Sequence, residues 1–324
     1  MNRILVIGAA GMVGRKLLHK LAQDGSLGGS QIAHATLHDI VAPQPPPKAP
    51  FQVRSAASDL SLAGEADKLV AERPSVIFHL AAVVSGEAEA DFEKGYRVNL
   101  DGTRELFEAI RKVGAGYKPR VVFTSSIAVF GAPFPEAIGD EFLSAPLTSY
   151  GTQKAMAELL LSDYTRRGFF DGIGIRLPTV CVRPGKPNRA ASGFFSGIIR
   201  EPLNGQEAVL PVSEDVRHWH ASPRAAVGFL LHAAALAGER IGPRRNLTMP
   251  GLSVTIAEQI AALRRVAGDA PARLIRREPD PAIMRIVKGW PQNFDAQRAR
   301  ELGFRADASF EEIIRIYMEE ELPA

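Results

Sequence analysis

Short apolar runs and longer amphipathic stretches alternate along the first half of the chain. Runs at 4–7, 32–37, 51–53, 76–80, 121–124 and 173–177 have the length of buried strands. Between them, apolar residues recur every three or four positions, as at Val13, Leu17, Leu18 and Leu21. That spacing predicts helices over 11–24, 62–72, 88–113 and 149–167. Alternation of this kind predicts an α/β fold: parallel strands joined by crossover helices in a doubly wound sheet, with the ligand crevice at the carboxyl ends of the strands.

The proline-rich stretch 43–50 is incompatible with helix or central strand and predicts a surface connection between the second and third strands. Beyond residue 182 the alternation weakens, Pro, Gly and Arg become frequent up to 217, and helical spacing returns at 255–266, 295–302 and 310–317. The pattern divides the chain into a Rossmann-type dinucleotide-binding domain over 1–181, with a strand and helix near 209–237 returning to it. A smaller substrate-binding lobe takes 182–208 and 238–324.

Composition narrows the function. With 324 residues, 46% of them hydrophobic, the chain fills a substantial core. A formal charge of +3 without a long basic run argues against nucleic-acid or membrane-surface partners. Cys181 is the only cysteine, which excludes an intrachain disulfide and a thiolate cluster for zinc. No apolar stretch approaches the roughly 20 residues that cross a bilayer. The first strand begins at once, leaving no room for a targeting segment, so a cytoplasmic protein is expected.

The first strand runs into Gly8, Gly11 and Gly14. Gly8 permits a sharp turn, Gly11 lets the backbone approach a pyrophosphate, and Gly14 lets the next helix pack closely. The helix that starts around Met12 and Val13 aims its free amides at the phosphates. Further on, Tyr150 and Lys154 stand four apart near the start of a helix and share a face. A cation beside a phenol favours the phenolate. Val121-Val122-Phe123-Thr124-Ser125-Ser126 is a buried strand ending in hydroxyls where the crevice is expected. His218 and His220 lack a third ligand at sensible spacing and read as a polar strand face, and Cys181 as a small buried hydrophobe.

Taken together, the glycine triplet, Asp39 after the second strand, His79-Leu80-Ala81-Ala82, Val98-Asn99-Leu100-Asp101-Gly102-Thr103, Thr124-Ser125-Ser126-Ile127-Ala128-Val129-Phe130-Gly131, and Tyr150 with Lys154 resemble the extended short-chain dehydrogenase/reductase family. The resemblance implies Tyr150 as general acid/base, Lys154 as its electrostatic partner and ribose ligand, and Ser126, with Ser125 as the alternative, as the hydroxyl that orients the substrate oxygen. It implies that Asn99 supports the lysine through water. Asp59-Leu60 would contact adenine, and Leu80-Ala81-Ala82 would lie along the pyrophosphate and nicotinamide ribose. Asp39 suits the ribose hydroxyls of NAD, because a 2′-phosphate there would face a like charge.

The second half bears on the substrate. In the family's sugar-nucleotide epimerases an arginine precedes aspartate, an aromatic and an acidic pair, and an asparagine follows the sixth strand. Here Arg217-His218-Trp219-His220-Ala221-Ser222-Pro223 lacks the acids, and Pro178-Thr179, counted with the cofactor site, replaces the asparagine. The loop 184–189 instead resembles the substrate loop of uronate dehydrogenases, where an arginine after an asparagine grips a sugar-acid carboxylate. That makes Arg189 the first candidate for the carboxylate, with Arg183, Lys186 and Arg217 as the arginines and lysine that could take its place, Arg217 counted as a further substrate contact, and Ser85 for a hydroxyl. Within the family the whole chain most resembles the NAD enzymes that oxidise D-erythronate to its 2-oxo acid. The alternatives are an epimerase or dehydratase with tightly held NAD, and a non-catalytic NAD(H)-sensing module. The helices at 88–113 and 149–167 resemble the family's dimer interface.

Overall fold

The computed structural model describes residues 1–185 and 192–322. The strands in chain order are β1 (Asn2–Ile7), β2 (Ser26–Leu27), β3 (Ser30–Asp39), β4 (Gln52–Ala57), β5 (Val76–His79), β6 (Arg120–Ser126) and β7 (Asp171–Leu177). There follow β8 (Thr179–Val180), β9 (Ala208–Leu210), β10 (Arg217–Ala221), β11 (Asn246–Thr248), β12 (Leu252–Thr255) and β13 (Ile275–Arg277). The helices used below are α1 (Met12–Asp24), α2 (Glu65–Val70), α3 (Ser85–Ala90), α4 (Phe92–Tyr96), α5 (Gly102–Val113), α6 (Ser149–Arg166), α7 (Gly193–Leu203) and α8 (Pro223–Ala235).

The large sheet has the order β4-β3-β1-β5-β6-β7-β11 and is parallel throughout, save for short β2 pairing antiparallel with β3. The chain goes from β1 to one side through β3 and β4, then crosses to β5 and builds the other side. The switch point therefore lies between β1 and β5, where a crevice opens beyond the strand ends. β1 reads as an unbroken apolar run because both faces are covered. Ile4 and Val6 join Leu17, Leu18, Leu21, Phe229 and Leu230 of α1 and α8, whereas Leu5 and Ile7 join Leu69, Leu106, Phe107 and Leu161 of α2, α5 and α6. This is the predicted doubly wound α/β fold.

A second body of apolar side chains joins Phe195 and Ile198 of α7, Leu210 of β9, and the helices Ile256–Ala267 and Phe310–Glu321. It accompanies a three-stranded sheet, β12-β10-β8, and the pair β13-β9. Of the segment 209–237, α8 packs on the large sheet, while β9 and β10 pair away from it. β11, too short to show as an apolar run, extends the large sheet beside β7.

The helix expected over 88–113 is broken. Asp91 takes φ −128° and ψ 87°, ending α3, and its carboxylate caps α4 by accepting from Lys94 N. Arg97–Asp101 then forms a π-helical turn that carries Asn99 inward. There its side chain accepts from Val83 N at 2.8 Å and donates to Val83 O at 3.1 Å and Gln153 Oε1 at 2.7 Å. A buried amide must find such partners, and the wider turn supplies the reach that regular periodicity lacks.

Gly8 allows a close approach between the turn after β1 and the backbone after β5. Its φ is +90°, and a Cβ there would lie 2.5 Å from Ala81 N and 2.8 Å from the Leu80 carbonyl carbon. At Gly29, with φ +76°, a Cβ would meet open space. Gly29→Ala should therefore cost only backbone strain, on the order of 1–3 kcal/mol. Gly8→Ala adds a clash between backbones and should lower the urea midpoint clearly further. Equal shifts in the two variants would show that the turn has room to move away from β5.

Candidate active site

The turn after β1 is held by Gly8 N and Ala9 N, which donate to His38 O at 2.8 and 3.1 Å. Gly14 lets α1 cross the turn, since a Cβ on it would lie 2.3 Å from Gly8 O. Thr148, Ser222 and Thr255 cap α6, α8 and Ile256–Ala267 with their side chains, but at α1 the N-cap is Gly11 and no side chain caps the helix. Gly8, Gly11, Met12, Val13 and Gly14 thus present an uncapped helix start to a cavity of about 410 Å³. A backbone cradle that a Cβ would fill, at the positive end of a helix, fits the pyrophosphate of NAD.

Asp39 ends β3 beside this turn. One carboxylate oxygen accepts from Ala10 N at 2.9 Å and the other from Ile40 N at 2.7 Å, which orients the partly exposed side chain. Leu80, Ala82 and Ser85 line the cavity beyond β5, and Pro178 and Thr179 line it beyond β7. Ala81 instead packs on the core beneath β1, and Leu60 is buried in that same core. Asp59 is held by Ser61 N and Oγ and by Arg97. Its carboxyl lies below the usual range: burial opposes this, but the Ser61 and Arg97 contacts outweigh it. Asn99 braces the loop at Val83 and Gln153, while Lys154 bonds elsewhere.

α6 brings the tyrosine and lysine to β6. Thr148 Oγ1 accepts from Gly151 N at 3.1 Å and sets the helix start. Gly151 allows the helix to meet the backbone after β6, since a Cβ there would stand 2.2 Å from Ala128 O. Tyr150, Lys154, Ser125 and Ser126 therefore share one cavity wall. The Lys154 ammonium is fully buried, donates to Thr124 O at 2.8 Å, and lies 4.8 Å from the Phe123 ring centroid and 5.9 Å from that of Tyr150.

Both groups are pushed away from charge. Burial drives the Tyr150 phenol up to about 12, against the opposing pull of the Ser126 hydroxyl and the Arg183 charge. Burial also drives Lys154 down to about 7, with Glu158 pulling the other way. Burial dominates both shifts, and Lys154 is not among the groups that pull the phenol down.

The two serines separate cleanly. Ser125 is buried and its hydroxyl donates to Glu158 Oε1 at 2.5 Å. Glu158 also receives Arg176 Nε at 2.9 Å and a terminal nitrogen at 2.7 Å, a bidentate pair. Ser126 Oγ accepts from Ala128 N at 3.1 Å, and its hydroxyl faces the Tyr150 phenol in the cavity.

Arg217 does not reach this site. It donates to Ser253 O at 2.8 Å and pairs with Glu258 at 3.4 Å, because successive side chains of β10 point to opposite faces. Its neighbour His218 lines the cavity instead, stacked 5.1 Å from Phe195. Burial lowers His218 to about 4, so its ring is neutral near pH 7. His220 is buried against Gln259, at 3.1 Å. Arg189 lies outside the described residues. Arg183, which the sequence offers only as a substitute for Arg189, lines the cavity just after buried Cys181 and Val182, and so does Trp290, which the sequence does not single out.

Residues 4–237 match the NAD dependent epimerase/dehydratase family. The chain belongs to that family. A D-erythronate dehydrogenase of Cupriavidus necator is 51% identical over 321 residues, 98% of either chain. A D-erythronate dehydrogenase of Haemophilus influenzae is 41% identical over 98% of this chain and 99% of its own. The crystal structure of the nucleoside-diphosphate-sugar epimerase from Agrobacterium tumefaciens is 67% identical and superimposes with a TM-score of 0.97, covering 99% of this chain and 94% of that one. The resemblance of the short motifs thus extends over the whole family match.

The Glu158–Arg176 pair under the cavity wall makes a stability prediction. The two side chains are 4% and 12% exposed, so Glu158→Ala leaves a guanidinium with little water and no counter-ion. A loss of about 3–5 kcal/mol is expected. Replacing both, as Glu158→Leu with Arg176→Met, should recover most of it. Chemical denaturation of the three variants checks this; equal losses in the single and double variants would refute it.

Proposed function

We propose that the protein oxidises a small sugar acid at its C2 hydroxyl, with D-erythronate going to 2-dehydro-D-erythronate. The observation that carries the reading is the convergence of Tyr150, Lys154 and Ser126 on a cavity that begins at the glycine turn. The two D-erythronate dehydrogenases of nearly equal length support the choice of acid.

NAD, when bound, accepts the hydride that leaves C2. Tyr150 removes the proton of the C2 hydroxyl, and the electron pair left on oxygen closes the carbonyl as C2 loses hydride. Ser126 donates its hydroxyl proton to that oxygen and holds it toward the phenol. Lys154, fixed by Thr124 O, stabilises the phenolate that must form and reaches toward the ribose. Gly11, Met12, Val13 and Gly14 hold the pyrophosphate. Asp39 accepts from the adenosine ribose, while Leu80, Ala82, Pro178 and Thr179 border the nicotinamide end.

We further infer a Rossmann unit over 1–181 joined by α8 and β11, with the remaining later segments forming the substrate lobe. A homodimer through the helical segments 88–113 and 149–167 is supported by exposed Phe92 and Leu159 on them. The single cysteine supports a cytoplasmic setting. The name of the Agrobacterium structure favours a second reading, an epimerase that reduces and reoxidises its NAD without releasing it. Net NADH at 340 nm with D-erythronate separates the two, because an epimerase accumulates none.

The phenol raised to about 12 fixes the sign of the pH dependence. Oxidation needs phenolate, so its kcat/KM should rise across roughly pH 7 to 10, whereas reduction of the 2-oxo acid needs phenol and should stay flat there. Tyr150→Phe should lose roughly 10²–10⁴-fold in kcat. A variant with near-wild-type kcat would end the mechanism. Asp39→Ala should weaken NAD binding and narrow the preference over NADP, as measured by titrating both nucleotides; equal wild-type affinities would remove the role given to Asp39.

A further inference from the structure

The cavity wall is electrostatically one-sided. Among the described residues that line it, the charged side chains are Lys154 and Arg183, and no carboxylate faces them. Lys154 is spoken for by Thr124 O. Arg183 donates one terminal nitrogen to Ser192 Oγ at 2.8 Å, and no carboxylate pairs with it among the described residues. The side chain lines the cavity, and among the described residues Ser192 is the acceptor it meets. Loss of hydration disfavours its charge, Arg200 adds to that, and Cys181 and Tyr150 oppose it. A half-buried guanidinium on a cavity wall, with no counter-ion among the described residues, calls for an anionic ligand.

Thr179 and His218, which also line the cavity, tell the carboxylate where not to bind. His218 Nδ1 is 3.0 Å from Pro291 O, a pure acceptor, so this nitrogen carries the ring proton. Nε2 is then an acceptor, and it takes the hydroxyl proton of Thr179 at 2.7 Å. Thr179 therefore presents lone pairs to the cavity, suited to a substrate hydroxyl and repelling a carboxylate.

We propose that Arg183 is the specificity residue that anchors the substrate carboxylate beside Tyr150, so that the site selects acids bearing the reacting hydroxyl on the carbon next to the carboxylate. This rests on the reading of the protein as a sugar-acid dehydrogenase and names its substrate class as 2-hydroxy acids. Tyr150 and Arg183 line the same cavity, so one small acid can offer its hydroxyl to the phenol and its carboxylate to the guanidinium. Thr179, with its lone pairs, receives a hydroxyl further along the chain. The assignment places the anchor on Arg183 in the cavity wall, in place of Arg189.

The test compares an acid with its uncharged twin. NADH formation is followed with D-erythronate and D-erythronamide for wild type, Arg183→Met, Arg183→Lys and Arg189→Met. Arg183→Met should lose roughly tenfold to a hundredfold in kcat/KM for the acid and change little for the amide. Arg183→Lys, which keeps the charge but lacks the planar fork, should recover part of the loss. NAD affinity should stay at the wild-type value, which also reports an intact fold. Equal losses on acid and amide, or discrimination that disappears in Arg189→Met and survives in Arg183→Met, would overturn the assignment. Should wild type form no NADH from D-erythronate, the choice of substrate falls on its own. Calorimetric titration of glycolate into the NADH-loaded protein then decides the subsite: binding lost in Arg183→Met upholds it, and binding kept refutes it.

Discussion

The contact between the turn at Gly8 and the backbone after β5 is the constraint on which the site depends. Two neighbouring parallel strands leave the sheet here in opposite directions, and their backbones touch with no side chain between them. Because Gly8 has no Cβ, the turn is tight enough for α1 to begin directly over the strand end. Because Gly14 has none, the helix crosses its own turn and does not tilt away. The consequence is electrostatic: an uncapped helix start faces a cavity whose other wall is α6. A side chain at either glycine would displace the helix and move its amides away from the place where phosphate charge is to be met.

Gly151 repeats the device across the cavity. α6 meets the backbone after β6 at Ala128, and the hydroxyls ending β6 come to face the tyrosine that starts α6. Glu158, two turns along the same helix, takes up the Ser125 hydroxyl and the Arg176 guanidinium at once. This division of labour leaves Ser126 on the cavity wall. The pair of serines is ambiguous in sequence because neighbouring residues on a strand differ only in the face they present. A partner 33 positions away in the chain decides which face is occupied.

What the sequence made legible follows the same logic. Apolar runs covered on both faces, the glycine spacing and the tyrosine–lysine spacing are local patterns, and the fold places them as the spacing implies. The parts that escaped depend on partners distant in the chain. The helix over 88–113 looked continuous because its apolar positions keep helical spacing, yet Asn99 is drawn inward by Val83 and Gln153 and the turn there widens. Arg217 is an arginine beside aromatics in a short strand, and only the pairing of β10 with β12 shows that it faces Ser253 and Glu258. Strands of two or three residues, such as β8 and β11, carry too few side chains for a pattern, and their existence rests on the neighbours they extend.

Burial sets the ionisation of the cavity more strongly than any single pair within it. The phenol of Tyr150 is held protonated, the ammonium of Lys154 is brought near half-charge around pH 7, and His218 is kept neutral. Each shift reflects water removed without full replacement by protein dipoles. A cavity of this kind disfavours isolated charge yet retains a cation, Arg183, with no acid facing it. Such an arrangement is most favourable when a ligand supplies the missing negative charge beside the guanidinium. The same anion beside Tyr150 would oppose ionisation of the phenol. The positive charge that favours phenolate must therefore come from the oxidised cofactor, and from Lys154 only while it stays protonated, which makes the order of charges along the cavity, and not the tyrosine–lysine pair alone, the quantity that sets the reactive state.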